Sequence, residues 1–189
     1  MKTVKVNDSI YRFSDVLSTS EYINLFDEFT FYYNNLTVKS GDGTDNEYPR
    51  LSIKKPDSKL KVYSETPSLG DNFVFINLST KLKLIAEHTL KKRLRLIRIN
   101  TNIQFAGQDS NFHKDGGVGY WTFCLFNQLG WDSEWGGEFV CCIDRDYHYV
   151  PYIPNNACLF AAHNEHKGSP PSIQCTSYRT SIACTFMEL

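Results

Sequence analysis

The chain has 189 residues, of which 41% are hydrophobic and 22% charged, and its formal charge is −1. That length predicts one globular domain with a core that needs no covalent staples, and the near-zero charge supplies no general attraction to nucleic acid or anionic membrane. Met1-Lys2-Thr3-Val4-Lys5-Val6-Asn7-Asp8 turns polar too soon for a secretory signal, and no apolar run approaches a membrane span. The expectation is a soluble cytoplasmic protein with no nucleic-acid or membrane partner; no feature specifies an oligomeric state.

In chain order, Ser18-Thr19-Ser20-Glu21 has the form of a capping box, and Tyr22, Ile23, Leu25, Phe26 and Phe29 follow at helical spacing. From Val38 to Lys61 the chain is polar and turn-rich, with Gly41-Asp42-Gly43, Pro49 and Pro56. It reads as a loop with at most short strands, serving either as a surface connection or as a mobile substrate lid. A second helix is expected from about Ser79, with Leu82, Ile85, Ala86 and Leu90 on one face and His88 within it. The basic run Lys91-Lys92-Arg93-Leu94-Arg95 reads as a solvated helix end.

The period then changes. Ile97, Ile99, Thr101, Ile103 and Phe105 alternate with Arg98, Asn100, Asn102 and Gln104, which predicts a strand. Its polar face either meets water or lines a hydrophilic cavity. Further strands are expected near Tyr120–Phe126, Glu138–Ile143, Ala157–Ala161 and Tyr178–Phe186. Many short strands separated by Gly, Asn, Asp and Pro turns suggest a sandwich or barrel. Residues 1–93 thus read as mostly helical support with a candidate lid, and 94–189 as the β-rich core. The cysteines, Cys124, Cys141, Cys142, Cys158, Cys175 and Cys184, all fall in that second part. They are expected to be reduced and mostly buried, and without a CxxC spacing they give no support to a structural zinc site.

Chemistry concentrates in Asn111-Phe112-His113-Lys114-Asp115-Gly116-Gly117 and, downstream, Asn164-Glu165-His166-Lys167-Gly168. On a strand, His113 and Asp115 would project to the same side. Two imidazoles and one carboxylate on one face of a metal leave its other positions open, as non-haem Fe(II) oxygenases require. His-x-Asp alone is a weak signal, and a surface turn explains it equally well. His166 and His163 compete for the third ligand; His166 is preferred, with His163 as a supporting or structural residue. His148 lies in the charged turn Asp144-Arg145-Asp146-Tyr147-His148. Arg179 offers a fixed, bidentate partner for a dicarboxylate, although an arginine in isolation is more often a surface ion pair.

An ordered set of fragments carries a resemblance over roughly Leu94 to the C-terminus. Arg98-x-Asn100-x-Asn102 precedes Gly107, then come His113-x-Asp115, Leu125-Phe126-Asn127, Trp131 and Trp135-Gly136-Gly137-Glu138-Phe139. Pro154-Asn155-Asn156, Leu159-Phe160, His166-x-Gly168-Ser169-Pro170 and Tyr178-Arg179-Thr180-Ser181 follow. The set resembles the Fe(II)/2-oxoglutarate-dependent dioxygenases of the prolyl 4-hydroxylase-like superfamily. The separations of 51 residues from Asp115 to His166 and 13 from His166 to Arg179 suit it.

The resemblance implies a mainly β fold with supporting helices, a double-stranded β-helix or jelly-roll. It implies iron held by His113, Asp115 and His166, and 2-oxoglutarate gripped by Arg179 with help from Ser181. Asn102, Gln104 and Thr122 are the remaining expected co-substrate contacts. O2 is the second co-substrate and ascorbate a reductant. The implied reaction couples decarboxylation of 2-oxoglutarate to succinate and CO2 with hydroxylation of an unactivated C–H. A prolyl residue in a peptide or protein is the leading substrate; a free amino acid or other small metabolite is second. Tyr48, Arg50 and Trp135 either line the mouth or pack.

Two departures narrow this reading. Thr122, Cys124 and Leu125 stand where many protein prolyl hydroxylases carry a tyrosine. Thr185 stands where the nucleic-acid repair branch has a second arginine, which argues against that branch. Two readings from other classes are a non-catalytic jelly-roll that binds iron or 2-oxoglutarate, and a zinc hydrolase with Glu138 or Glu165 as its base.

Overall fold

A computed structural model describes residues 1–34, 50–54 and 72–189. Among them run β1 (Lys2–Asn7), β2 (Ile10–Ser14), α1 (Thr19–Asn34), β3 (Arg50–Lys54), α2 (Phe73–Leu90), β4 (Leu94–Gln104) and β5 (Tyr120–Phe126). Then follow β6 (Phe139–Ile143), β7 (Asp146–Val150), β8 (Ala157–Ala161), β9 (Glu165–Gly168) and β10 (Arg179–Glu188). A seven-stranded sheet has the order β1-β2-β8-β5-β10-β4-β3, and a three-stranded sheet the order β7-β6-β9. Every pairing is antiparallel. This is the expected jelly-roll with helices on one face.

Side-chain alternation divides the interior into two cores. One face of the large sheet, including Phe123, Leu125, Leu159, Ile182 and Phe186, packs against Tyr22 and Leu25 of α1 and Phe75, Leu78, Leu82 and Ala86 of α2. The opposite face carries Cys124, Phe126, Cys158 and Phe160, which meet Phe139, Cys141 and Ile143 of the small sheet. The two sheets therefore close over a second, smaller core, and the polar face of β4 opens into the space beside it. Cys124, Cys141, Cys158 and Cys184 are buried, and none of the six cysteines forms a disulfide.

Several elements differ from the sequence expectation. The N-terminal region adds a hairpin, β1–β2, whose second strand extends the large sheet through β8. Helix α2 starts six residues before Ser79, because Asn72 caps it by accepting from the backbone N–H groups of Val74 (2.8 Å) and Phe75 (3.3 Å). The run Phe73-Val74-Phe75-Ile76 looks strand-like by composition, and the cap together with burial of Phe75 overrides that preference. His148 lies on β7, not in a turn. Of the Val38–Lys61 stretch only β3 lies within the described residues, as an edge strand on β4; the rest of the candidate lid, with Tyr48, lies outside them. No described helix is long and apolar enough to cross a membrane.

The capping box forms as expected. The Ser18 N–H donates to Glu21 Oε2 at 2.7 Å, and the Glu21 N–H returns to Ser18 Oγ at 3.4 Å. Lys81 of α2 adds two bonds to the same carboxylate, at 2.8 and 2.7 Å. The Lys81 ammonium, followed by the Ser18 donors, holds the Glu21 carboxyl down to about 2, against an ordinary value of 4.5. A depressed folded-state value stabilises the fold above the unfolded-state value, and the contribution is lost as pH falls through the folded one. Glu21→Ala is expected to cost about 1 kcal/mol near neutral pH, the scale of a cap plus an exposed ion pair. Urea titrations at successive pH values should show the gap to the parent narrowing steadily below about 4.5.

Candidate metal and co-substrate site

The register of three strands builds the floor of the site. β10 lies between β4 and β5, so Thr185 stands beside Arg98 and Thr122, Ala183 beside Asn100 and Cys124, and Ser181 beside Asn102 and Phe126. Arg179 pairs with Gln104 at the end of the array. Arg98, Asn100, Asn102 and Gln104 all line one cavity of about 270 Å³. Between the two readings of the polar face of β4, the structure selects the cavity. Thr122, Cys124, Ser181, Gly168, His113, Asp115, His166 and Arg179 line it too.

His113 and His166 come together through a backbone bridge. The His113 N–H donates to His166 O at 3.0 Å, and the His166 N–H to His113 O at 2.9 Å. Asp115 is tied down by its N–H to Ala162 O at 3.0 Å. His113 is thus a lone bridge residue and not part of a regular strand, yet the three side chains meet. One ligand atom from each of His113, Asp115 and His166 lies within 4.8 Å of the others. Asp115 Oδ2 is 3.5 Å from His166 Nε2, and Oδ1 is 3.9 Å from His113 Nε2.

The tautomers are determined by the outer contacts. His113 Nδ1 is 3.1 Å from Asn111 O, and His166 Nδ1 is 3.0 Å from Asn164 O. A carbonyl only accepts, so each Nδ1 carries a proton and each Nε2 is the ring atom turned toward Asp115. Phe160 and Phe139 wall the His166 ring, at 4.4 and 5.6 Å between centroids. Asp115 accepts from Thr122 Oγ1 at 2.9 Å and from the Arg98 guanidinium. Burial alone would raise its carboxyl, but the surrounding donors and cations, His166 first and then Arg98 and His113, hold it well below the usual carboxylate range. The carboxylate is therefore ionised throughout the neutral range.

Arg179 is 2% exposed. Its Nε–H donates to Gly137 O at 2.7 Å and its Nη1–H to Gln104 Oε1 at 2.9 Å, while the rings of Tyr152 and Phe126 lie 5.0 and 5.9 Å from the guanidinium carbon. Among the described residues no carboxylate pairs with it. Two glycines make its seat. Gly137 adopts a φ of +81° that side chains rarely take. At Gly168 a Cβ would lie 2.9 Å from both Arg179 Nη1 and Gln104 Oε1.

Other sequence candidates separate clearly. His163 is outside the His–Asp–His cluster. Thr122 lines the cavity, and its hydroxyl donates to Asp115 at 2.9 Å. Gln104 likewise reaches Arg179. Leu125 faces the helices. Trp135 packs edge-on against Trp131 with centroids 5.2 Å apart. Glu138 and Glu165, the bases a zinc hydrolase needs, are not among the residues lining the cavity. The role of Arg98 was missed; its place on the polar face of a period-two strand was the available signal.

No protein-family model matches the chain, and no curated protein matches its sequence. Among solved structures it is similar to a Pseudomonas putida prolyl-4-hydroxylase, at 14% identity, over 96% of this chain and 93% of that one, with a TM-score of 0.68. It is similar to a Trichoplax adhaerens prolyl hydroxylase in complex with a hypoxia inducible factor oxygen degradation domain peptide fragment, at 11% identity, 96% and 84% coverage and a TM-score of 0.73. A third is SnoN, a non-heme alpha ketoglutarate dependent epimerase from nogalamycin biosynthesis, at 15% identity, 95% and 78% coverage and a TM-score of 0.70. At such identities the likeness is one of fold.

Gly168→Ala tests the seat of Arg179. Overpacking of this kind costs about 1–3 kcal/mol. In an Arg179→Ala background, where the crowded guanidinium is gone, the same substitution should cost less than half as much. A double-mutant cycle by urea denaturation reads the coupling; additive costs would mean that the glycine serves some other purpose.

Proposed function

We propose that the chain is a single-domain Fe(II)- and 2-oxoglutarate-dependent oxygenase that oxidises an unactivated C–H bond. The observation that carries this reading is Arg179: a buried guanidinium without a described counter-carboxylate, in the same cavity as a His–Asp–His cluster. Burying an unpaired charge is costly, and a dianionic co-substrate is the partner that would offset the cost. The donor set fits a metal of this class, since two imidazole nitrogens and one ionised carboxylate converge within 4.8 Å of one another.

In this reading His113, Asp115 and His166 hold the iron, and Arg179 grips the distal carboxylate of 2-oxoglutarate. Ser181 and Asn102 stand one row further along the floor, beside that carboxylate's path. When bound, iron, 2-oxoglutarate and O2 supply the oxidising chemistry, with ascorbate as reductant. The chain's own residues orient and exclude. Phe139 and Phe160 keep water from the His166 side. Asn111 O and Asn164 O fix the two rings, and Thr122 fixes Asp115. No general base is required.

The likeness to two prolyl hydroxylases, one of them bound to a peptide, supports a prolyl residue in a peptide or protein as substrate. The likeness to SnoN supports a small metabolite as the second reading. Both are compatible with a cytoplasmic location.

The test is 2-oxoglutarate turnover to succinate by anaerobically purified protein given Fe(II) and O2. His113→Ala, Asp115→Ala and His166→Ala are expected to abolish it, whereas His163→Ala is expected to retain iron. Arg179→Ala should weaken 2-oxoglutarate binding by about 2–5 kcal/mol, or roughly 30-fold or more, and leave iron binding in place. Arg179→Lys should recover part, because a point charge cannot reproduce the planar fork. Unchanged 2-oxoglutarate affinity in Arg179→Ala would sink the co-substrate assignment.

A further inference from the structure

We infer that Arg98 is a positioning residue of the metal site: its guanidinium sets the orientation in which Asp115 presents its carboxylate. The inference rests on the reading of His113, Asp115 and His166 as metal ligands. Its starting point is an irregularity in β4. Along β10, Thr185 pairs with Arg98 but Phe186 pairs with Leu96, so Ile97 is an extra residue, a β-bulge. The bulge inverts the alternation. Leu94 and Leu96 belong with the helix-side core, whereas Arg98, at the same parity, faces the cavity with Asn100, Asn102 and Gln104. Arg98 is the first residue that the bulge turns toward the site.

There it completes a closed ring of contacts. Its Nη2–H donates to Asp115 Oδ1, and its Nε–H donates to Thr185 Oγ1 at 3.2 Å. Thr185 Oγ1 is 3.2 Å from Thr122 Oγ1, which donates to Asp115 Oδ2 at 2.9 Å. Arg98, Thr185 and Thr122 form one row across β4, β10 and β5. The two oxygens of Asp115 are thus gripped by the two ends of a single row.

This arrangement has a chemical consequence. The terminal torsion of an aspartate is broad, and a metal-ligating carboxylate free to rotate can chelate through both oxygens. That would take up a coordination position which a co-substrate or O2 needs. Donors on both oxygens remove the rotation, and the charge-assisted one from Arg98 is the stronger. The guanidinium also draws charge from the carboxylate, so its loss alters donor strength as well as geometry.

Co(II) is a suitable probe, because its visible absorption reports coordination number. The parent, Arg98→Gln, Arg98→Lys and Thr185→Val are titrated with Co(II), with and without 2-oxoglutarate, and the metal-free forms are melted. Arg98→Gln is expected to change the Co(II) spectrum and to weaken metal binding by about 10–100-fold, the usual scale for residues behind a ligand. Arg98→Lys should restore part of the spectrum. Thr185→Val, which keeps the guanidinium but frees its Nε–H, should change it in the same direction by less, and it serves in place of Arg98→Gln should that variant not fold. A parent-like spectrum and affinity in Arg98→Gln, with only a lowered melting temperature, would overturn the inference and leave the metal reading standing. Failure of the parent to bind Co(II) would overturn both.

Discussion

The register of β10 between β4 and β5 is the constraint on which the site depends. A strand in the middle of a sheet has both edges hydrogen-bonded, so its side chains can point only to one face or the other. In β10 the residues Arg179, Ser181 and Ala183 face the cavity, while Ile182, Cys184 and Phe186 face the helices. A slip of one residue would exchange these sets. It would place a guanidinium in the helix-side core and three apolar side chains in the cavity, so the hydrophobic pattern and the functional pattern enforce the same register. The helices matter to the site for this reason: by burying the apolar face through Phe75, Leu82 and Leu25 they hold the polar face in place.

The small sheet contributes in a different way. Its strand β9 carries His166 and is bridged to His113, so two imidazoles from distant parts of the chain are fixed by a single pair of backbone hydrogen bonds. Rigid placement of ligands by backbone, with the side-chain torsions fixed by carbonyl contacts behind each ring, is what a preformed metal site requires. Asp115 lacks a strand of its own and is held by its N–H on Ala162 O and by donors on both carboxylate oxygens.

Much of this was legible in the sequence, and the limits have physical causes. The alternation from Ile97 to Gln104 identified both the strand and its polar face, because no bulge interrupts the period of two between Arg98 and Gln104. The fragments His113-x-Asp115, His166-x-Gly168 and Arg179-x-Ser181 gave the residues that line the cavity. The bulge at Ile97 was not legible: an inserted residue in an apolar run leaves the composition unchanged and shows itself only against the partner strand. For the same reason Thr185 read merely as the absence of an arginine, when a guanidinium reaches that place from the adjacent strand. Polarity on a cavity face does not reveal which neighbour will satisfy it, so the bonds of Thr122 to Asp115 and of Gln104 to Arg179 were not legible. The start of α2 was misplaced because its first turn is rich in residues that favour strands, and the Asn72 cap that decides the matter is a single side chain. β9 has only four residues, too few for a period to be counted, and β7 is as short as β6 and β8 but polar and charged, so it reads as a turn.

The two guanidiniums of the cavity divide the electrostatic work between them. Arg98 has a carboxylate at hydrogen-bond range, so its charge is largely compensated within the chain. Arg179 is buried deeper and held by neutral acceptors only, so its charge is not compensated by any described residue. Both arginines belong to one continuous face, at opposite ends of the array that runs from the Arg98–Thr185 row to the Arg179–Gln104 row. A dianion entering the cavity therefore meets an asymmetric field, attractive without competition only at the Arg179 end. The end that carries Asp115 already contains a negative charge and offers it to a cation. Polarity of this kind separates an anion-attracting end of the cavity from a cation-attracting one before any ligand is bound, because both guanidiniums are fixed on the strands that form the floor.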